Sequence, residues 1–209
     1  MANTFSPFGF RAFGRMDGGA PTAGMTRVLI ASSDTTAYFT GDTVAFSSFS
    51  TLPGYISLPS SGTLSPPTLG VFVGCEFYNT ATGQIRFSPY FPGSVGSSSP
   101  CNAYVITDPD QLFLVQSSTT DTLGSSNVGM NVGVASSLQS NGNTLSGISG
   151  LALNSSTVTA NASMPFRIVD SYANYAPAGV NGTDTTAAGQ IMVVAPNNWA
   201  RKNLTAPST

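Results

Sequence analysis

The sequence predicts an all-β protein, a jelly-roll-like β-sandwich or barrel with extended N- and C-terminal arms. Three observations carry this. Apolar, β-branched runs of four to ten residues recur along the chain, at strand length rather than helix length. Gly 22 and Pro 14 punctuate it from end to end. Charged residues make up 8%, against an ordinary share of about 25%, which leaves no material for long solvated helices. A length of 209 residues with 41% hydrophobic and 10% aromatic content suits one core without disulfides or metals.

The N-terminal segment, residues 1–23, holds Phe5, Phe8, Phe10 and Phe13 with Arg11 and Arg15, and shows neither helical nor strand periodicity. It is expected to be an extended arm. The body is expected over residues 24–195. Its first strand is Met25–Ala31, and Tyr38-Phe39 and Val44-Ala45-Phe46 flank Thr40-Gly41-Asp42 as a hairpin would. Residues 57–68, rich in Ser, Thr and Pro, read as a surface loop. Leu69–Tyr78, a turn over 79–83 and Gln84–Phe87 form the clearest hairpin, with Gly70 and Gly74 marking a bulge or a close backbone approach.

Residues 92–100 read as a second loop. The continuous apolar runs Ala103–Ile106 and Gln111–Gln116, either side of the Asp108-Pro109-Asp110 turn, suit central strands. Residues 121–163 are rich in Gly, Ser and Asn, with weaker β signals at 128–134 and 151–153. Phe166–Val169 and Ile191–Ala195 return to strand pattern, giving roughly eight to ten strands before an open tail, residues 196–209.

Function classes fall away by composition. With no histidine, one glutamate (Glu76) and one lysine (Lys202), the usual triads, zinc sites, Glu-based acid/base pairs and Schiff bases have no candidates. An enzyme is not expected, nor a cofactor or metal. A net charge of −2 gives no footprint for nucleic acid, and no stretch has membrane-spanning length. Cys75 and Cys101 form no C-x-x-C motif and read as buried, inert thiols. No secretory leader is visible, so the Asn-x-Ser/Thr triplets at Asn154, Asn161, Asn181 and Asn203 are discounted and a cytosol-like setting is expected. Asp108 and Asp110 read as turn caps rather than a catalytic or metal-binding pair.

The arm is the informative feature. Four phenylalanines within nine residues, interleaved with arginines, suit a segment that docks, on another chain in preference to its own domain. Trp199 and Arg201 make a weaker case for the C-terminal tail. The candidate partner-binding residues are therefore Phe5, Phe8, Phe10, Arg11, Phe13, Arg15, Trp199 and Arg201.

Several segments, in order, carry a family resemblance: Asn3–Arg11, Gly41-Asp42-x-Val44, Leu69–Gly74 with Arg86-Phe87-Ser88, Asp108-Pro109 before Phe113, Leu145–Ser149 and Met164–Val169. The chain resembles capsid cement or decoration proteins of tailed bacteriophages. The resemblance implies a non-enzymatic structural virion protein, made in the host cytoplasm, that binds the outside of an icosahedral head. It would assemble as a homodimer or homotrimer and clamp adjacent major capsid protein subunits. The alternative is a carbohydrate- or receptor-binding β-domain of a phage fibre or adhesin, with Tyr38, Tyr55, Tyr78, Tyr90 and Tyr104 as stacking faces. A glycosidase built on Asp108 is the remote third reading.

Overall fold

A computed structural model describes residues 2–21, 24–47, 54–59, 68–95, 101–160 and 164–197. The chain is all-β, as predicted. In order the strands are β1 (Arg11–Arg15), β2 (Thr26–Ile30), β3 (Tyr38–Phe39), β4 (Thr43–Phe46), β5 (Ile56–Ser57), β6 (Thr68–Asn79), β7 (Gln84–Ser88) and β8 (Tyr90–Phe91). They continue as β9 (Cys101–Ile106), β10 (Gln111–Gln116), β11 (Asn131–Val134), β12 (Gly142–Asn143), β13 (Ile148–Ser149), β14 (Leu153–Thr159), β15 (Phe166–Ser171) and β16 (Ile191–Pro196). The helical content described is three short 3-10 turns, and no described helix is long and apolar enough to cross a membrane.

Two six-stranded sheets dominate. The first runs β1-β10-β16-β15-β11-β14, and the second β2-β9-β6-β4-β5 with β7 added to the far half of β6. A bridge between Leu29 and Tyr55 brings β2 towards β5, so the second sheet curls into a half-barrel. Two small pairs, β3-β8 and β12-β13, complete the fold.

Instead of one core there are two, and β6 and β9 form the wall between them. Val71 and Ile106 face a core shared with Phe113, Phe166, Met192 and Val194 of the first sheet. Their neighbours Phe72 and Val105 face the inside of the half-barrel, with Ile30, Tyr38, Val44 and Phe91. Strand alternation explains the division: successive side chains leave opposite faces, and both faces of this wall are covered. A continuous apolar run therefore marks the stretches around Val71-Phe72 of β6 and Val105-Ile106 of β9 as buried on both sides.

The predicted β6-β7 hairpin is present, with a register from Cys75 opposite Ser88 to Asn79 opposite Gln84. The β6 pairing also slips at the expected glycines. Val44 faces Gly70 and Ala45 faces Thr68, leaving Leu69 as an extra residue. Phe72 faces Val105 and Gly74 faces Tyr104, leaving Val73 as another. A Cβ on Gly70 would stand 2.1 Å from the Ile106 carbonyl oxygen, which no side chain tolerates.

Two expectations need correction. Tyr38-Phe39 and Thr43–Phe46 are not a hairpin: β3 pairs with β8, and β4 with β5 and β6. The Asp42 carboxylate accepts the Phe39 N–H (2.8 Å), and the neighbouring backbone exchanges hydrogen bonds with Phe72 on either side of the turn. The chain is thereby led onto β6 rather than back along β3. Likewise the Ser-rich stretch after Leu153 is a seven-residue strand, polar because β14 is an outer strand of its sheet.

Candidate interaction surface

The N-terminal segment is seated on its own body. Strand β1 pairs with β10, with Ala12 opposite Phe113 and Gly14 opposite Leu112, so Phe13 is an extra residue. Its ring turns edge-on to Tyr172 and Tyr175, at centroid distances of 6.4 and 5.4 Å. Upstream, Asn3 Nδ2 donates to the Asp184 carbonyl (2.9 Å), and Asn3 Oδ1 accepts the Gly182 N–H (2.9 Å). Gln116 Oε1 accepts the Ser6 N–H, and its Nε2 donates to the Thr4 carbonyl, both at 2.9 Å. The sequence reading found no strand here because β1 is short and broken by its bulge.

Phe10 is the centre of this seat. It is 3% exposed, stacks on Phe166 at 4.4 Å and meets Phe113 edge-on at 6.2 Å. Its N–H donates to the Gly41 carbonyl (3.0 Å). Gly41 has φ +99, and a Cβ there would lie 2.9 Å from the Phe10 nitrogen. The arm can approach this closely only because the position is glycine. Beneath it Asp42 is fully buried and accepts the Ser149 hydroxyl (2.5 Å) as well as the Phe39 N–H. Burial pushes the Asp42 carboxyl up to about 6, while those two hydrogen bonds pull it back.

Arg15 closes the far end. Its Nη1 donates to Asp108 Oδ2, Nη2 lies 3.9 Å from Asp110 and Nε 3.3 Å from Asp17. Asp108 Oδ1 also accepts the Asp110 N–H (2.9 Å), the turn cap the sequence suggested. Both carboxylates thus serve the arm and the turn.

Of the residues expected to meet a partner, Phe10 is buried within its own chain and Arg15 faces three carboxylates of its own chain. Phe13 is half-buried on the tyrosines. Phe8 is half-buried with the Arg11 guanidinium 5.5 Å above its ring, and Phe5 is 39% exposed. Trp199 and Arg201 lie outside the described residues.

One exposed apolar patch lies on the half-barrel. Ile85 and Phe87, two apart on β7, are 64% and 70% exposed. Phe87 stacks on Tyr104 at 6.3 Å. The Tyr104 hydroxyl donates to Glu76 Oε2 (2.9 Å), a bond that raises its pKa. Gly74 lies between them as the floor of a hollow. Period-two Ile85 and Phe87 on a strand that, among the described residues, pairs with β6 alone are the legible signal for this face. Of the tyrosines considered for stacking, Tyr38 is buried and Tyr90 stacks on Phe39 at 5.5 Å. Tyr78 and Tyr104 remain on the open face.

Cys75 and Cys101 are free and buried, as expected. Burial pushes the Cys75 thiol up to about 12. Among the described residues no cluster of His, Cys, Asp or Glu could hold a metal ion. Comparisons with protein-family models, curated proteins and solved structures found no match.

Proposed function

We propose that the chain is a non-enzymatic capsid decoration protein that binds the outer surface of an icosahedral phage head and holds adjacent major capsid subunits together. One observation carries the reading: the segments that bear the resemblance, scattered from residue 3 to 169, meet in space around the arm seat. Phe10 bonds Gly41 and stacks on Phe166 and Phe113. Gly41 and Asp42 bond Phe72, and Asp42 bonds Ser149. Gly147 abuts Pro89, just past Arg86-Phe87-Ser88.

The grip on the head follows from exposed apolar surface. Burying a phenylalanine such as Phe87 contributes about 1.5–3 kcal/mol. A dimer or trimer touching two or more capsid subunits multiplies modest contacts through effective concentration. A surface with few charges loses little in ion desolvation on docking.

The test is co-sedimentation of the purified chain with heads that lack it. Saturable binding that raises the heat resistance of the heads is expected. Failure to bind, with absence of the chain from purified particles, refutes the reading. The face holding Tyr78, Phe87 and Tyr104 also suits a sugar ring, and selective binding on a glycan array would favour the adhesin reading instead.

A further inference from the structure

Three depressions adjoin one another on the arm side of the half-barrel. The first, about 530 Å³, lies between Pro7 and the loop over residues 141–150. The second, about 400 Å³, is walled by Phe8 and Arg11 on one side and Val73 and Pro89 on the other. The third, about 660 Å³, lies over Gly74 between Phe87, Tyr104 and Met25. Ser146 and Ile148 line the first two, and Val73 and Pro89 line the last two, so they form one trough.

The second and third hollows are lined mainly by apolar side chains, while Asn, Thr and Ser residues share the lining of the first with Leu145 and Ile148. Among the described lining residues Arg11 is the one charged side chain. It stacks over Phe8 and, unlike Arg15, faces no carboxylate among the described residues. The rims carry Leu145, 97% exposed, with Phe87 and Met25. The Leu145 loop is held in shape, since Asn143 Oδ1 accepts the Leu145 and Ser146 N–H groups and the Asn143 carbonyl accepts the Gly147 N–H. A leucine held in shape and exposed at the rim of such a trough is an anchor awaiting cover.

We infer that this trough seats an extended, largely apolar segment of a capsid subunit that brings a carboxylate to Arg11. A row of hollows suits the successive side chains of an extended guest, and the lone cation supplies the charge complementarity. A second copy is the poorer guest. Among the described residues the extended apolar segments are paired in sheets, and the arm is held in its own seat by Phe10. The arm therefore serves the partner as a wall, through Phe8 and Arg11. The inference rests on the decoration reading and adds the surface and the chemistry of the guest.

The test uses the full chain and heads lacking it. Arg11→Glu should weaken head binding about tenfold, and Arg11→Lys, which keeps the charge, by less than about threefold. Leu145→Asp and Phe87→Ser should each weaken it about tenfold. These positions are exposed, so unfolding midpoints should stay at the parent value. A photo-crosslinking p-benzoylphenylalanine at position 87 or 145 should capture an apolar, carboxylate-bearing peptide of the major capsid subunit, and one at position 175, in the turn after β15, should not. Parent-like head binding by all three disruptive variants, or capture from position 175 alone, overturns the trough and leaves the decoration reading standing. Capture of a second copy overturns the choice of guest. Selective glycan binding lost with Phe87→Ser overturns a protein guest, and absence of any head binding removes both readings.

Discussion

Replacing Phe10 with alanine separates an arm that belongs to the body from an arm that awaits a neighbour. The ring is buried to 3%, stacked on Phe166 and edge-on to Phe113. Its apolar burial contributes about 1.5–3 kcal/mol, and each aromatic pair adds roughly 0.5–1.5 kcal/mol. With the cavity left behind, the loss should be about 3–5 kcal/mol. Urea denaturation of the isolated chain reads this directly. With a slope near 2.5 kcal/mol per molar, a loss of 4 kcal/mol lowers the midpoint by about 1.5 M. Phe5→Ala, at a ring 39% exposed, should cost less than about 1 kcal/mol. A Phe10→Ala midpoint within a few tenths molar of the parent would refute the reasoning, since it would place that ring in water in the free chain. The same geometry makes deletion of residues 1–15 a poor test of head binding, because it removes β1 and a core ring together.

Other outcomes follow from the seat. Burial raises the Asp42 carboxyl to about 6 from its ordinary 3.8, so between those values the folded state holds the extra proton. Its contribution to stability should be greatest below about pH 4 and fall by about 3 kcal/mol as pH rises through 6. Asp42→Asn, with the Ser149 hydroxyl turned to accept, should flatten that slope in a pH series of unfolding midpoints; an unchanged slope would contradict the assignment. Gly41→Ala places a Cβ 2.9 Å from the Phe10 nitrogen at φ +99 and should cost more than about 2 kcal/mol in the same assay. Arg15→Leu should leave the fold intact while amide exchange quickens across β1 and the 108–110 turn; exchange at the parent rate would show that the ion cluster does not hold the strand.

Local pattern revealed much of the fold. The hairpin of β6 and β7 was legible in an apolar run, a turn and a return strand, and its glycines announced the slips at Leu69 and Val73. Strands β9, β10, β15 and β16 were visible for the same reason. What stayed hidden depends on distant partners. Strand β14 looks like a loop because an outer strand needs few apolar residues. The pairing of β3 with β8 rests on Phe39 meeting Tyr90 across fifty residues of chain. Asp42 and Ser149 carry no local sign that they will share a buried hydrogen bond. Aromatic content in the arm does not say whose surface its rings meet; the seat of Phe10 depends on Gly41, whose missing side chain admits it.

The most direct test of the account is the copy number of this chain on purified, nuclease-treated phage particles, measured by quantitative mass spectrometry against the major capsid protein. A fixed, lattice-related ratio that collapses when Phe87 and Leu145 are made polar is predicted. Particles that carry none of the chain, or only a handful of copies indifferent to those substitutions, would contradict it.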